Sequence, residues 1–142
     1  LLRLMIQKFQ QIPGHEKIES HIEEGLYVHA DKNALSILIS NLIENGWKYS
    51  PKESPLEITI TRAENKIHLL IADQGVGIPD AEKQNIFTKF YRIGNEETRR
   101  TKGTGLGLFI VKYIVEEHSG KISVFDNKPA GSIFRVELPL LG

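Results

Sequence analysis

Two amides, a carboxylate and an amine recur at helical spacing in one stretch of the chain: Asn41, Glu44, Asn45 and Lys48. In an α-helix they share one side, rotated away from the apolar residues around Leu42. An Asn oxygen can bind Mg²⁺, which keeps several waters and also takes phosphate oxygens. A Lys adds positive charge for the same phosphates. A solvated polar face is the plainer interpretation, so this pattern alone favours a site only slightly.

A second candidate is the segment DQGVGIP at 73–79, which directly follows a predicted strand. Glycine allows positive φ and lets the backbone come close to a flat ring. The Asp73 carboxylate would then accept a hydrogen bond from an exocyclic amine, which adenine carries and guanine lacks at that edge. An ordinary turn at the end of a strand is the alternative, and the segment alone does not decide between the two.

A third candidate is the glycine run KGTGLGL at 102–108, which leads into a predicted helix. Each glycine would cost up to about 1 kcal/mol inside a helix, so a purely structural role is harder to defend. Glycines before a helix leave free N–H groups and the positive end of the helix dipole facing an anion. The spacing matches neither the dinucleotide-binding fingerprint nor the P-loop, which excludes both of those folds.

An aromatic cluster of Phe87, Phe90 and Tyr91 precedes the polar, basic segment 94–103. Core packing that anchors the base of a long loop is its simplest interpretation. Arg92 adds a cation on the same stretch. Cations on a hinged segment beside a glycine run are what a lid closing over phosphate requires, although solvated arginines are again the plainer interpretation.

Hydrophobic periodicity predicts the elements that must position these residues. Helices are expected over 1–11, from Asp31 as N-cap to 49–50, from Pro79 to about Phe87, and from near Gly105 to a terminus before Gly120. Strands are expected at 17–22, 26–29, 56–60, 67–71, 122–124 and 134–138. This order predicts an α+β fold, a two-layer α/β sandwich with one sheet and its helices on one face.

Composition bounds the function. With 142 residues and a net charge of +0, the chain is expected to form one domain that does not bind nucleic acid. The absence of Cys excludes a disulfide scaffold and thiolate zinc sites. No apolar run is long enough for a membrane span, so no direct membrane contact is expected of this chain. Because it begins with Leu1 and not with Met, we expect it to be part of a longer protein.

Four segments in order resemble the sequence boxes of sensor histidine kinases. They are NLIENGWKYS at 41–50 (N box), DQGVGIP at 73–79 (G1 box), FTKFYR at 87–92 (F box) and GTGLGL at 103–108 (G2 box). The resemblance covers roughly residues 17–140 and implies the Bergerat ATP-binding fold shared with gyrase, Hsp90 and MutL. That fold has a mixed sheet of about five strands backed by about three helices, with ATP held between helices and a lid.

The resemblance also implies residue roles. Asn45 should bind Mg²⁺, Asp73 should bond the adenine amine, and the glycines of the G2 box should hinge the lid and contact phosphate. The implied catalytic residues are Glu44, Asn45 and Lys48. The implied nucleotide-binding residues are Asn41, Asn45, Lys48, Tyr49, Asp73, Gly75, Gly77, Ile78, Phe90, Arg92, Lys102, Gly103, Thr104, Gly105, Leu106 and Gly107.

The reaction type depends on Asn41. Hydrolysing relatives carry a Glu general base there, one turn before the metal-binding Asn, and an amide cannot take a proton from water. Asn41 therefore favours phosphoryl transfer, with Glu44 as a neighbouring candidate base. The alternatives on this fold are a gyrase- or MutL-like ATPase, a serine-protein kinase of the anti-sigma type, and an inactive ADP-binding module.

The phosphoryl acceptor is expected outside this chain. His15 follows Pro13-Gly14 and precedes a predicted strand, which does not fit a helical phosphoacceptor. The resemblance implies a histidine-containing dimerisation domain in the same protein, a response regulator receiver domain as partner, a homodimeric full-length protein and a cytoplasmic location. Residues 1–16 are expected to form a helix and linker, and 17–142 the ATP-binding domain.

Two departures from the family pattern concern structure. Gly46 and Trp47 replace an Ala and an aliphatic residue, and we expect a cost in stability, with Trp47 filling the space beside the glycine. His118 lies in the last turn of a predicted helix, where a His suits the dipole, so we assign it a structural role.

Overall fold

The structure, a computed structural model, describes residues 18–48, 55–88 and 107–140, together with the single residues 7 and 11. Its strands are β1 (Ile18–Ile22), β2 (Leu56–Ala63), β3 (Lys66–Ala72), β4 (Lys121–Asp126) and β5 (Ser132–Pro139). Its helices are α1 (Lys32–Lys48) and α2 (Gly107–Glu117), and a short 3₁₀ turn covers Asp80–Glu82. The predicted helix over 1–11 lies outside the described residues, apart from Gln7 and Gln11.

The strands form one five-stranded sheet in the order β1-β2-β3-β5-β4. β1 runs parallel to β2, and the other neighbouring pairs are antiparallel, so the sheet is mixed. This arrangement confirms the predicted fold class. It also places the end of β3 beside the start of β5, where Ala72 pairs with Ile133.

One face of the sheet carries the core. Alternate residues of β2, β3 and β5 are buried, and the register aligns Ile58, Ile71 and Phe134 in one row across the sheet. The buried face of α1 packs here through Leu38 and Leu42, as does that of α2. Burying a large apolar side chain contributes roughly 1.5–3 kcal/mol, so this layer supplies the main stabilisation of the fold.

The two helices are also joined at one end. The Asp31 carboxylate caps α1, since its Oδ1 accepts hydrogen bonds from the N–H groups of Asn33 (2.8 Å) and Ala34 (3.1 Å). His118, just past α2, donates from Nδ1 to the Ile114 carbonyl (2.8 Å) and accepts at Nε2 from the Asp31 N–H (3.0 Å). The predicted N-cap is confirmed, and these contacts agree with a structural role for His118.

Two local predictions were wrong. Residues 26–29 are not a strand, and the alternation of half-buried Val28 with exposed Tyr27 reflects packing without sheet pairing. The helix predicted from Pro79 is only a 3₁₀ turn followed by further turns, in which the main-chain hydrogen bonds of Glu82, Lys83 and Asn85 reach back three residues instead of four. Gly120 lies beyond the end of α2, as predicted, and Ser119 just before it adopts positive φ (60°).

Gly46 is buried in α1, and the space beside it belongs to Leu56 of β2. A Cβ built on Gly46 would lie 2.6 Å from Leu56 Cδ1. Trp47 was predicted to fill this space, but the structure places Leu56 there. The glycine therefore lets the first residue of β2 pack closely against the helix.

We expect Gly46→Ala alone to give no gain in stability, because the higher helix propensity of Ala is cancelled by the clash with Leu56. In a Leu56→Val background the same change should add about 1 kcal/mol to the free energy of unfolding. Urea denaturation of the four proteins in this double-mutant cycle measures the coupling. Equal effects of Gly46→Ala in both backgrounds would show that Leu56 is not the obstacle.

Candidate functional site

Asp73 lies immediately after β3 and is the centre of the candidate site. Its side chain is 4% exposed, which is unusual for a carboxylate. One carboxylate oxygen, Oδ1, accepts hydrogen bonds from the N–H groups of Gly75 (2.9 Å) and Ser132 (3.1 Å). Gly75 is buried in the turn of the glycine segment, and Ser132 begins β5. The carboxylate is thus held by a local turn and by a distant strand.

The second oxygen, Oδ2, is available. Within the described part of the chain, no hydrogen-bond donor of the protein reaches Oδ2. Burial raises the pKa of the Asp73 carboxyl, while the hydrogen bonds from Gly75 and Ser132 act in the opposite direction. A buried carboxylate whose second oxygen has no donor among these described residues suits an incoming donor such as the amine of a base.

The main chain of Asp73 is fixed by the turn between β4 and β5. The Asp73 N–H donates to the Ser132 carbonyl (2.9 Å), and the Asp73 carbonyl accepts from Asn127 Nδ2 (2.8 Å). Gly131, with φ of 104°, leaves no room for a Cβ, which would overlap the Asp73 carbonyl oxygen. Sequence reasoning missed Ser132, Asn127 and Gly131 as contributors to the site.

The rest of the glycine segment leaves the turn open on one side. Gly77 has φ of 77°, and a Cβ on it would lie 3.5 Å from the Gly131 carbonyl oxygen. Val76 is 88% exposed, whereas Ile78 is half-buried against the core. Gly75, Gly77 and Ile78 thus lie in or directly after the Asp73 turn, and their role in lining a base stays a prediction.

The polar side of α1 faces the start of α2. Asn41 is half-buried, and its Nδ2 lies 3.5 Å from the carbonyl oxygen of Gly107, the first residue of α2. Asn45 is half-buried and Glu44 is exposed. Gly107 is exposed, and a Cβ there would meet nothing within 4 Å, so the start of α2 is accessible to a ligand. Asn41 of the first sequence candidate and Gly107 of the third are therefore neighbours in the fold.

A lysine attaches the segment after the glycines to the same hairpin. Lys83 Nζ donates to the Ile78 carbonyl (2.9 Å), pairs with Asp126 (2.8 Å) and also pairs with Asp80. The hydrogen bonds to Asp126 and Asp80 raise the pKa of Lys83, and Lys83 lowers the pKa of Asp80. Phe87 is buried edge-on against Phe134, with ring centroids 6.2 Å apart, which confirms its predicted packing role.

Several predicted site residues lie outside the described part of the chain, as does the side chain of Lys48. They are Tyr49, Phe90, Arg92, Lys102, Gly103, Thr104, Gly105 and Leu106. Their roles stay predictions. Among residues 18–48, 55–88 and 107–140, no group of three or more His, Asp or Glu side chains could hold a metal ion.

Residues 30–142 match the family described as histidine kinase-, DNA gyrase B- and HSP90-like ATPase. The chain belongs to this family. The match covers the candidate site from Asn41 to Ser132, so the buried carboxylate and the two helix faces lie within the ATPase domain. The predicted resemblance is confirmed.

Curated relatives of this ATPase domain are sensor histidine kinases. Sensor histidine kinase RppB of Synechocystis is 34% identical over 130 residues, which is 91% of this chain and 29% of that protein. Sensor histidine kinase WalK of Bacillus subtilis is 31% identical, over 97% of this chain and 23% of that protein. The chain therefore spans less than a third of the length of either relative.

Solved structures show the same architecture. The mycobacterial sensor histidine kinase MprB superposes with a TM-score of 0.80 at 27% identity, covering 98% of this chain and 94% of that one. The nucleotide-free catalytic domain of histidine kinase ThkA gives a TM-score of 0.77 at 27% identity, covering 97% and 93%. The domain thus has the fold of histidine kinase catalytic domains.

In the described residues, none of the helices has the length and apolar character needed to span a membrane.

Proposed function

We propose that this ATPase-family domain binds ATP with its adenine amine on Asp73 and transfers the γ-phosphoryl group to a histidine. The observation that carries the proposal is the buried Asp73 carboxylate, whose Oδ1 accepts two N–H donors while no donor from residues 18–48, 55–88 or 107–140 reaches Oδ2. An amine donor placed on Oδ2 would add a hydrogen bond to a carboxylate that is already held in place through Oδ1.

The phosphates would extend toward the polar side of α1 and the start of α2. Asn45 would serve as the protein ligand to Mg²⁺, with phosphate oxygens and water completing its shell. Lys48, Tyr49, Arg92 and Lys102 would approach the phosphates, and the glycines at 103, 105 and 107 would present main-chain N–H groups. The bound Mg²⁺ would neutralise phosphate charge.

Asn41 favours transfer over hydrolysis. Its amide has no basic oxygen that could accept a proton from water, and it faces the Gly107 carbonyl. Glu44 is exposed on the same helix and is the nearest carboxylate candidate for a base. A gyrase- or MutL-like ATPase and a serine-protein kinase use the same fold, but the relatives at 31% and 34% identity are named as sensor histidine kinases.

The acceptor and partners belong to the whole protein. We propose a histidine on a dimerisation domain of the same protein as acceptor and a response regulator receiver domain as the next recipient. We also propose that the full-length protein is a homodimer whose catalytic domains lie in the cytoplasm. In the transfer, the bond between the γ-phosphorus and the β–γ bridging oxygen breaks, a P–N bond forms, and the imidazole loses a proton to a base.

Calorimetric titration of the domain with ADP and Mg²⁺ tests nucleotide binding, and we expect a dissociation constant in the micromolar range. Titration with GDP is the matched control, because guanine has no amine at the edge that Asp73 would contact. Absence of ADP binding by the folded domain would overturn the proposal.

Radiolabelled ATP tests the reaction class. The domain is mixed with the proposed histidine-containing dimerisation domain of its own protein, and we expect a labelled acceptor whose phosphate is lost in acid and retained in base, as for a P–N bond. Steady release of inorganic phosphate by the domain alone would instead indicate an ATPase. An acid-stable label on a partner would indicate a serine-protein kinase.

A further inference from the structure

The turn between β4 and β5 reaches across the fold to the candidate nucleotide site. Asn127 is half-buried there, and its Nδ2 donates to the Asp73 carbonyl over 2.8 Å, although 54 positions separate the two residues. Neither residue needs the other for its own secondary structure, since Asp73 follows β3 and Asn127 follows β4. The bond is therefore a specific link between the hairpin and the base-binding carboxylate.

The orientation of the Asn127 amide follows from its two partners. Its Oδ1 accepts from the Lys128 N–H (2.9 Å), and its main-chain N–H donates to the Gly131 carbonyl (3.0 Å). The Asp73 carbonyl can only accept, so the group facing it must be the NH₂. An isosteric Asp at position 127 would place a carboxylate oxygen against that carbonyl.

The link controls where Oδ2 of Asp73 lies. Ser132 holds the Asp73 main-chain N–H and Oδ1, while Asn127 holds the carbonyl on the other side of the same residue. Gly131 brings the turn into direct contact with this carbonyl. These bonds together set the orientation of the remaining oxygen, and loss of the Asn127 side chain removes the one hydrogen bond that the described residues make to the carbonyl side of Asp73.

We propose that Asn127 is a positioning residue that sets the preference of Asp73 for bases with an exocyclic amine. The inference rests on the proposed nucleotide binding at Asp73. Asn127 acts through the Asp73 main chain, without contact to the base. Its removal should therefore weaken the amine contact selectively and leave phosphate and ring contacts in place.

The experiment compares two ligands on the 142-residue chain: ADP and purine riboside 5′-diphosphate, which carries hydrogen where adenine has its amine. We expect Asn127→Ala to lower ADP affinity about fivefold to tenfold, the range for one lost hydrogen bond. Affinity for the amine-free nucleotide should change less than about twofold. Asn127→Asp should lower ADP affinity further, because it turns a donor into an acceptor.

The matched control is Asn65→Asp in the exposed turn between β2 and β3, which makes the same chemical change in another hairpin. It should leave both affinities unchanged. Thermal unfolding of each variant verifies that the fold is retained, and Asn127→Asp serves if Asn127→Ala does not fold.

The outcomes separate the inference from the proposed function. A reduced preference for ADP in the Asn127 variants supports positioning. Equal weakening of both ligands, or no change in either, overturns it while the wild type still prefers ADP. A wild type that binds both ligands alike would overturn the assignment of Asp73 itself, and the positioning role with it.

Discussion

Asp73→Asn should lower the affinity for ADP by about 100-fold while leaving the nucleotide-free domain at least as stable as the wild type. The N–H groups of Gly75 and Ser132 both point at Oδ1, so the oxygen of the new carboxamide must occupy that position. Its NH₂ is then forced to the position of Oδ2. There it would face the amine of adenine, and two donors cannot form a hydrogen bond.

The expected stability of the Asp73→Asn domain follows from the raised pKa of Asp73. Burial disfavours the charged form, so the folded state binds this proton more tightly than the unfolded state, whose pKa is near 3.8. The stabilising contribution is fully present below pH 3.8 and is lost as pH rises through the higher folded pKa. Asparagine does not titrate, so the variant should gain melting temperature relative to the wild type as pH increases.

Two measurements check these statements. Calorimetry with ADP and Mg²⁺ gives the affinity ratio, and thermal melts between about pH 4 and pH 7 give the difference in stability. Exposed Glu44→Gln on α1 is the control for loss of one carboxylate and should leave the melting temperature nearly unchanged. A variant that bound ADP normally would remove Asp73 from the base site. A pH-independent stability difference would contradict the raised pKa.

Gly131→Ala should destabilise the domain by about 3 kcal/mol and abolish nucleotide binding. Its φ of 104° strains any L side chain, and its Cβ would overlap the Asp73 carbonyl oxygen and lie 2.9 Å from Oδ1. The obstacle is the Asp73 main chain, which hydrogen bonds to Ser132 and Asn127 hold in place, so it cannot yield as a flexible side chain would. The loss is large beside a typical total stability of about 5–15 kcal/mol.

Gly25→Ala is the control that separates backbone strain at positive φ from the clash of the new Cβ with Asp73. Gly25 also has positive φ (80°), but a Cβ there meets nothing within 4 Å. This control should cost only about 1 kcal/mol, the strain of the backbone alone. Urea denaturation of both variants measures the difference, and similar losses at the two glycines would show that the contact with Asp73 is not tight.

Much of the fold was predictable because burial leaves a local period in the sequence. The apolar stripe of α1 and the alternation in β2, β3 and β5 predicted those elements, and Asp31 predicted the start of α1 through its capping side chain. The same rule failed at 26–29, where alternate burial occurs without a neighbouring strand. Periodicity reports which side chains are buried, and it does not report what pairs with the backbone.

The residues of the candidate site likewise fall into those that the sequence pattern revealed and those that only the fold brought to the site. Asp73 and its glycines were found because they adjoin in the chain and their chemistry is local. Ser132 and Asn127 were missed because they lie 59 and 54 positions from Asp73, and only the adjacency of β3 and β5 brings them to it. The sequence does contain the hairpin turn at 127–131, but its role follows only from the strand order.

By itself, the sequence determined the four boxes, the helices and strands that carry them, and a carboxylate at the end of a strand. Only the tertiary structure decided which oxygen of that carboxylate accepts hydrogen bonds from the described residues. The physical reason is that helix faces and strand alternation arise from neighbours in the chain. The direction of the Asp73 side chain arises instead from hydrogen bonds and close packing with β5 and the turn before it.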